Sequence, residues 1–190
     1  MNQTVQQYLA GHNQAIGLIE GMADNIDRAG KLLVDTLRQG HKILVMGNGG
    51  SAADAQHLAA ELVGRFEAER SGLPALALTT DSSILTAVSN DFGYEAVFAR
   101  QVEALAVKGD VVIGISTSGH SPNVLQAVKT ARGNGCRTIG LLGRDGGDIA
   151  AAVDLPLIVA VQQTPHIQEA HGVLVHLLCR IVDQAFSGKN

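Results

Sequence analysis

The sequence predicts an α/β protein: three α-β-α layers around a five-stranded parallel sheet, preceded by N-terminal helices. Three observations lead there. From Lys42 onward, short apolar runs alternate with helix-like segments, the pattern of βα units wound about a sheet. The runs are apolar throughout rather than at every second position, as in strands buried on both faces. Two of the runs end in loops rich in glycine and hydroxyl groups, Gly47-Asn48-Gly49-Gly50-Ser51 and Ser116-Thr117-Ser118-Gly119-His120-Ser121. Ligands of open α/β sheets bind outside the carboxyl ends of the strands, where both loops fall.

Residues 2–22 and 24–39 read as two helices. Asp24 fits the N-cap of the second and Gly40 its stop. Ile26, Leu32, Leu33 and Leu37 recur at helical spacing, and Val5, Tyr8, Leu9, Ile16 and Ile19 form a less regular stripe on the first. A helical pair before the first strand either covers the sheet or builds a subunit interface, and the interface is the expectation. Strand-like runs follow at 42–46, 74–79, 110–115, 137–142 and 155–160, with helix-like segments at 51–66, 82–89, 94–107, 121–133 and 165–186. Thr164 suits the cap of the last helix, and Pro165 suits its first turn, where a missing N–H costs nothing. No repeat or linker divides the chain. One unit over 1–190 is expected, with an oligomerising helical segment at 1–40 and an α/β core at 41–190.

Composition narrows the function. A chain of 190 residues can bury a real core. Aromatic residues make up only 3% and Trp is missing, which argues against readers that stack nucleic-acid bases on aromatic rings. A net charge of −4 without a basic cluster makes nucleic acid and anionic membranes poor partners. Cys136 and Cys179 lack metal-type spacing and read as reduced, packed thiols. The N-terminus has no basic patch leading into an apolar core, so no signal peptide is expected. No apolar stretch reaches the ~18 residues of a membrane helix. A cytoplasmic protein is the expectation.

Both loops look built to grip a phosphate. Glycines admit a ligand close to the backbone, and hydroxyls add donors beside the N–H groups of a helix start. Two such loops on one sheet suggest a phosphorylated small molecule lying across its edge. Gly47, Gly49 and Ala52 also match G-x-G-x-x-A dinucleotide spacing. A nicotinamide site wants an acidic residue ending the next strand, and Asp81, the one fair candidate, comes about ten residues late.

In the helix after the first loop, His57 and Glu61 stand four residues apart, on one face and about 6 Å from each other. Such a pair binds a divalent metal, divides proton transfer, or merely decorates a surface. Its closeness to the phosphate loop favours chemistry. Gln168 and His176 are eight residues apart on the last helix, about 80° around and about 12 Å along it. One straight helix barely brings both to a single ion, so either they reach toward each other or one serves a neighbouring subunit. A buried imidazole bonded to backbone is the plain alternative for His176, and His171 reads as structural. Asn90-Asp91-Phe92-Gly93 reads as a turn whose amide and carboxylate bond their own backbone or hold sugar hydroxyls. Arg65 is either a bidentate phosphate ligand or a solvated charge.

These segments together resemble the sugar isomerase (SIS) family over nearly the whole chain. The likeness rests on Gly47 to Ser51, Asp54-Ala55-Gln56-His57-Leu58-Ala59-Ala60-Glu61-Leu62, Asn90 to Tyr94, Gly114 to Gly119, and Ile167-Gln168-Glu169-Ala170-His171. Within the family it is similar to the enzymes interconverting sedoheptulose 7-phosphate and D-glycero-D-manno-heptose 7-phosphate, for bacterial heptose and lipopolysaccharide precursors. The resemblance implies phosphate binding by Ser116, Thr117, Ser118 and Ser121. It implies sugar contacts from Asn48, Gly49, Gly50, Asn90 and Asp91, and Ser51 and Arg65 count among the substrate-binding candidates. The family's zinc ligands fall on His57, Glu61, Gln168 and His176, with Glu61 and Gln168 also touching substrate. Glu61 and His176 are its presumed proton-transfer pair, Glu61 at carbon and His176 at the oxygens. Homotetramers with sites at subunit contacts are implied too. Departures are Ala52-Ala53, His120 in the serine loop, and Thr164-Pro165-His166 at the last helix. The alternative is a non-catalytic SIS protein that binds the bacterial replication initiator protein. That sister group lacks the glutamate and last histidine kept here as Glu61 and His176.

Overall fold

Strands apolar on both faces need cover on both, and the computed structural model, which describes residues 2–187, shows how the chain supplies it. Two helices come first, α1 (Gln3–Glu20) and α2 (Ala23–Arg38). Then follow β1 (Ile43–Gly47), α3 (Gly50–Val63), β2 (Ala75–Ala77), α4 (Ser82–Phe92), a 3-10 turn (Tyr94–Ala96) and α5 (Val97–Leu105). The second half holds β3 (Val111–Ser116), α6 (Pro122–Gly133), β4 (Arg137–Gly143), α7 (Gly147–Ala152), β5 (Leu155–Val159) and α8 (Thr164–Phe186). All five strands are parallel, in the order β2-β1-β3-β4-β5. The winding runs outward from β1 to β2, then returns to β3 on the other side of β1. A crevice opens where it reverses, between the carboxyl ends of β1 and β3.

Side chains of each strand alternate between two cores. Ile43, Val45, Ile113, Ile115, Ile139 and Leu141 point into the core shared with α2, α3 and α8. Leu44, Met46, Val112 and Leu142 point into the core shared with α5, α6 and α7. Each fully buried side chain of this size contributes roughly 1.5–3 kcal/mol, so the fold is held by two apolar layers rather than by strand pairing alone. Ile26, Leu33, Val34 and Leu37 of α2 are buried, and α2 packs on α8 and the sheet. That helix covers the sheet within this chain. α1 lies outside it on α8, burying only Ala15 and Ile19 and exposing Val5, Tyr8, Leu9 and Leu18.

Several boundaries differ from expectation for local physical reasons. Asp24 does not cap α2. Met22 holds the cap position because the α1–α2 turn is so tight, and Asp24 sits in the first turn, where its charge suits the helix N-terminus. Likewise Gln163, not Thr164, precedes α8, and Thr164 and Pro165 lie in its first turn. The predicted turn at residues 90–93 is the last turn of α4, which Gly93 ends with φ of 85°. The predicted helix 94–107 splits into the 3-10 turn and α5, and β2 is a three-residue edge strand. The short α7 was not expected. Both cysteines are free and buried. Burial first, then the nearby Glu61 carboxylate, pushes the Cys179 thiol up to about 12. No helix among the described residues is long and apolar enough to cross a membrane.

Candidate active site

The two glycine- and serine-rich loops leave neighbouring strands. In the register of β1 and β3, Met46 pairs with Gly114 and Gly47 with Ile115, so both loops open at the crevice. In the first, Gly49 has φ of 56°, a conformation suited to glycine. Asn48 and Asn123 exchange two side-chain amide hydrogen bonds of 2.9 Å, and the Tyr94 hydroxyl donates to Asn48 Oδ1 at 3.0 Å. This fixes the loop to the start of α6. Asn123, 2% exposed, was missed from sequence. Its only signal was an amide in the first turn after Ser121-Pro122, which looks like any helix start.

The second loop is held by its own hydroxyls. Ser116 Oγ lies 2.9 Å from Ser121 Oγ and 3.4 Å from Ser118 Oγ. The Gly119 and His120 N–H groups donate to Ser116 Oγ and Ser118 Oγ at 3.1 and 3.2 Å. A Cβ on Gly119, whose φ is 72°, would run into the Gly146 carbonyl, and the Ile149 N–H donates to the Gly119 carbonyl at 3.1 Å. Thus α7 braces the loop from behind. Ser116, Thr117, Ser118 and Ser121 gather at the N-terminus of α6, where hydroxyl and N–H donors can turn to one anion.

A second cluster lies farther along α3. His57 Nε2 is 3.2 Å from Glu61 Oε1 and 3.4 Å from His176 Nε2. The two imidazoles stand nearly perpendicular at 86°, and the Phe66 ring lies 5.6 Å from that of His176. One nitrogen carries at most one proton, so His57 satisfies both neighbours only by sharing it. Both separations exceed the ~2.9–3.0 Å of ordinary N–H bonds. Ligand atoms around a tetrahedral zinc with bonds of ~2.0–2.1 Å would stand about 3.3 Å apart, a spacing these two separations resemble. Even so, among the described residues no group of three or more His, Cys, Asp or Glu side chains is arranged to hold a metal ion. Two edges fit, with His57 as their shared corner. Asp54, one turn before His57, has a buried oxygen without a partner, and burial raises its pKa against the opposing charge of His57.

The remaining candidates fall elsewhere. Gln168 does not join His57 and His176. Its amide lies against Gly50, where a Cβ would overlap it, so it belongs with the first loop. Asn90 and Asp91 bond to each other at 2.8 Å on the exposed last turn of α4. Arg65 is exposed just beyond the end of α3, which places it about 20 Å of helix from Gly50 at the first loop. Asp81 caps α4, accepting from the Ile84 N–H at 2.9 Å, which leaves the dinucleotide reading without its acidic residue. His171 is fully buried with neither ring nitrogen hydrogen-bonded, and burial lowers its pKa to about 4, opposed in part by the Leu142 backbone. Glu169 is the docking point of α1, bonded to Tyr8, His12 and His166 at 2.5, 2.8 and 3.0 Å. Burial opposes its ionisation, but these bonds prevail and hold its carboxyl down to about 2.

With that geometry in hand, the likeness to known proteins is direct. The profile of the SIS domain family matches residues 7–143. The phosphoheptose isomerase of Geobacter sulfurreducens is 59% identical over 178 residues, 94% of each chain. That of Geotalea daltonii is 54% identical over 190 residues, covering 100% of this chain and 99% of its own. The solved phosphoheptose isomerase of Neisseria gonorrhoeae superposes with a TM-score of 0.91 at 45% identity, over 96% of this chain and 98% of that one. The chain belongs to the SIS domain family and, within it, to the phosphoheptose isomerases. These likenesses give no support to a module that binds the replication initiator.

Proposed function

We propose that this chain is an aldose–ketose isomerase that converts sedoheptulose 7-phosphate to D-glycero-D-manno-heptose 7-phosphate through an enediolate. The product would feed bacterial heptose and lipopolysaccharide synthesis in the cytoplasm. The observation that carries this reading is the meeting of Glu61 and His176 at a single imidazole, His57. A binding module has no use for a carboxylate and a histidine held at such a point.

Moving a proton between C1 and C2 needs a base, a group to serve the oxygens, and a firm hold on the unreactive end. The hydroxyls of Ser116, Thr117, Ser118 and Ser121 would exchange their mutual bonds for the phosphate oxygens. Asn48 to Ser51 and Gln168 would hold sugar hydroxyls, and this remote binding positions the reacting carbons. Glu61 would then take the proton from C1 of the ketose, exchange it with solvent while the enediolate persists, and deliver a proton to C2. His176 would pass a proton between the two oxygens and assist ring opening.

We read zinc as the metal because two imidazoles and a carboxylate are its donor types. His57, Glu61 and His176 would hold it, and Gln168 would complete the set only by leaving Gly50. When bound, the ion would polarise the carbonyl and stabilise the oxyanion, an effect of several kcal/mol. A carboxylate bound to zinc is a weaker base, so Glu61 would ligate for only part of the cycle.

Along α3, His57 lies about 10 Å and Glu61 about 16 Å from Gly50, close to or beyond the reach of one seven-carbon sugar phosphate. We therefore read the working site as shared between subunits of a homotetramer. One chain would supply the phosphate loops, and another would supply the acid–base cluster, Arg65, or Asn90 and Asp91. The exposed apolar residues of α1 and of α4, Ile84 and Phe92, support such contacts. Glu61→Gln, with bound metal verified, should lower kcat by about 10²–10⁴-fold, the usual contribution of a general base. A near-native rate overturns Glu61 as the base.

A further inference from the structure

The end of α3 that carries Glu61 is held by a buried ion pair from two distant parts of the chain. Arg70 and Asp183 side chains are 2% and 5% exposed, and Arg70 Nε lies 2.9 Å from Asp183 Oδ1. The last carbonyls of a helix have no partner within it. Here Arg70 supplies them, donating from Nη2 to the Glu61 carbonyl at 2.8 Å and from Nη1 to the Leu62 carbonyl at 2.9 Å. Its charge also suits a helix C-terminus. The other oxygen of Asp183 accepts from the Ala68 and Glu67 N–H groups at 2.7 and 3.2 Å, so both carboxylate oxygens are engaged.

The position of Asp183 gives this arrangement a consequence for chemistry. It follows His176 by seven residues on α8, two turns later on the same face. One rigid fork therefore joins the backbone of Glu61 to the helix face that presents His176. We propose that Arg70 and Asp183 are positioning residues that set the separation of Glu61 and His176. The proposal rests on reading those two as the proton-transfer pair. A buried ion pair adds little net stability over apolar packing of the same volume. What it adds is direction, because the guanidinium fork accepts only one geometry. The phosphate loops lie at the opposite ends of α3 and α8, so substrate capture should not depend on the lock.

The test compares Arg70→Lys, Asp183→Asn and the apolar double variant Arg70→Met/Asp183→Leu with the wild-type chain. Three quantities are read: kcat and KM for sedoheptulose 7-phosphate, melting temperature, and affinity of the metal-free protein for Zn(II) by chelator competition. Losing such supporting contacts typically costs 10–100-fold in activity or metal affinity. We expect kcat and Zn(II) affinity to fall by about that much in Arg70→Lys and Asp183→Asn, with KM within about threefold. The double variant should lose kcat and Zn(II) affinity at least as far as the single variants. Its melting temperature should fall too, because the Glu61 and Leu62 carbonyls and the Glu67 and Ala68 N–H groups lose these partners. The proposal is overturned if kcat and Zn(II) affinity stay at wild-type levels, or if they recover together with melting temperature in the double variant. A wild-type chain that turns over no sugar phosphate defeats the isomerase reading instead, and the Zn(II) affinities still decide the lock.

Discussion

We read His57 as the residue on which the chemistry turns, because its Nε2 faces a carboxylate and a second imidazole at once. The His57–Glu61 half was legible in the sequence, since four residues along a helix bring two side chains together whatever the fold. The His176 half came only through the family resemblance, because 119 residues separate it from His57 and spacing cannot join them. Spacing on α8 left open whether Gln168 and His176 reach toward each other or one serves a neighbouring subunit, and in this chain they reach different partners. Arg70 and Asp183 gave no signal at all, as two charged residues 113 positions apart read as surface. His171 carries its own test. Its ring is neutral when folded, with a pKa near 4 against 6.5 unfolded. The unfolded chain therefore binds the extra proton between those values, and stability falls as pH drops from 6.5 toward 4. The loss should approach 3 kcal/mol, roughly, at 1.36 kcal/mol per pKa unit. Chemical denaturation across that range should show the slope, and His171→Leu should flatten it; an unchanged slope removes His171 as its source.

Helices and strands were easier to read than their ends. Uniformly apolar strands announce a doubly covered sheet, so the five runs at 42–46 through 155–160 all became strands. The last turn of α4 was hidden because Asn90-Asp91-Phe92-Gly93 carries strong local turn chemistry, yet glycine at the end of a helix is also its ordinary stop. α7 was hidden because six residues after two glycines carry no periodic stripe, and its place is set by contact with Gly119. At the start of α8, Gln168 faces a loop, while Glu169 and His166 face α1. Because the carboxyl of Glu169 is held down to about 2, its contribution to docking α1 is complete above the ordinary carboxylate range. It is lost as pH falls from about 4.5 toward 2. Hydrogen exchange in α1 should therefore quicken over that interval before exchange in α8 does. Glu169→Gln should quicken α1 already at pH 6, and an α1 that stays protected in that variant would show that apolar contacts alone hold it.

For the molecule as a whole, the strand order explains why two loops 69 residues apart face one crevice. β1 and β3 are neighbours only because the chain first winds outward to β2 and then returns. Sequence alone placed both loops at the carboxyl edge but not side by side. The fold separates the glycine- and serine-rich edge, our proposed phosphate site, from the His57–Glu61–His176 cluster, our proposed acid–base site, farther down α3 and α8, and we read their union as the work of neighbouring subunits. The claim on which this depends is that sedoheptulose 7-phosphate is isomerised by proton transfer. Its most direct test is incubation of the wild-type protein with that ketose in D₂O, followed by NMR. The expected result is D-glycero-D-manno-heptose 7-phosphate carrying solvent deuterium at C2. An unchanged ketose, or an aldose whose C2 hydrogen comes wholly from C1 as in a hydride shift, would contradict it.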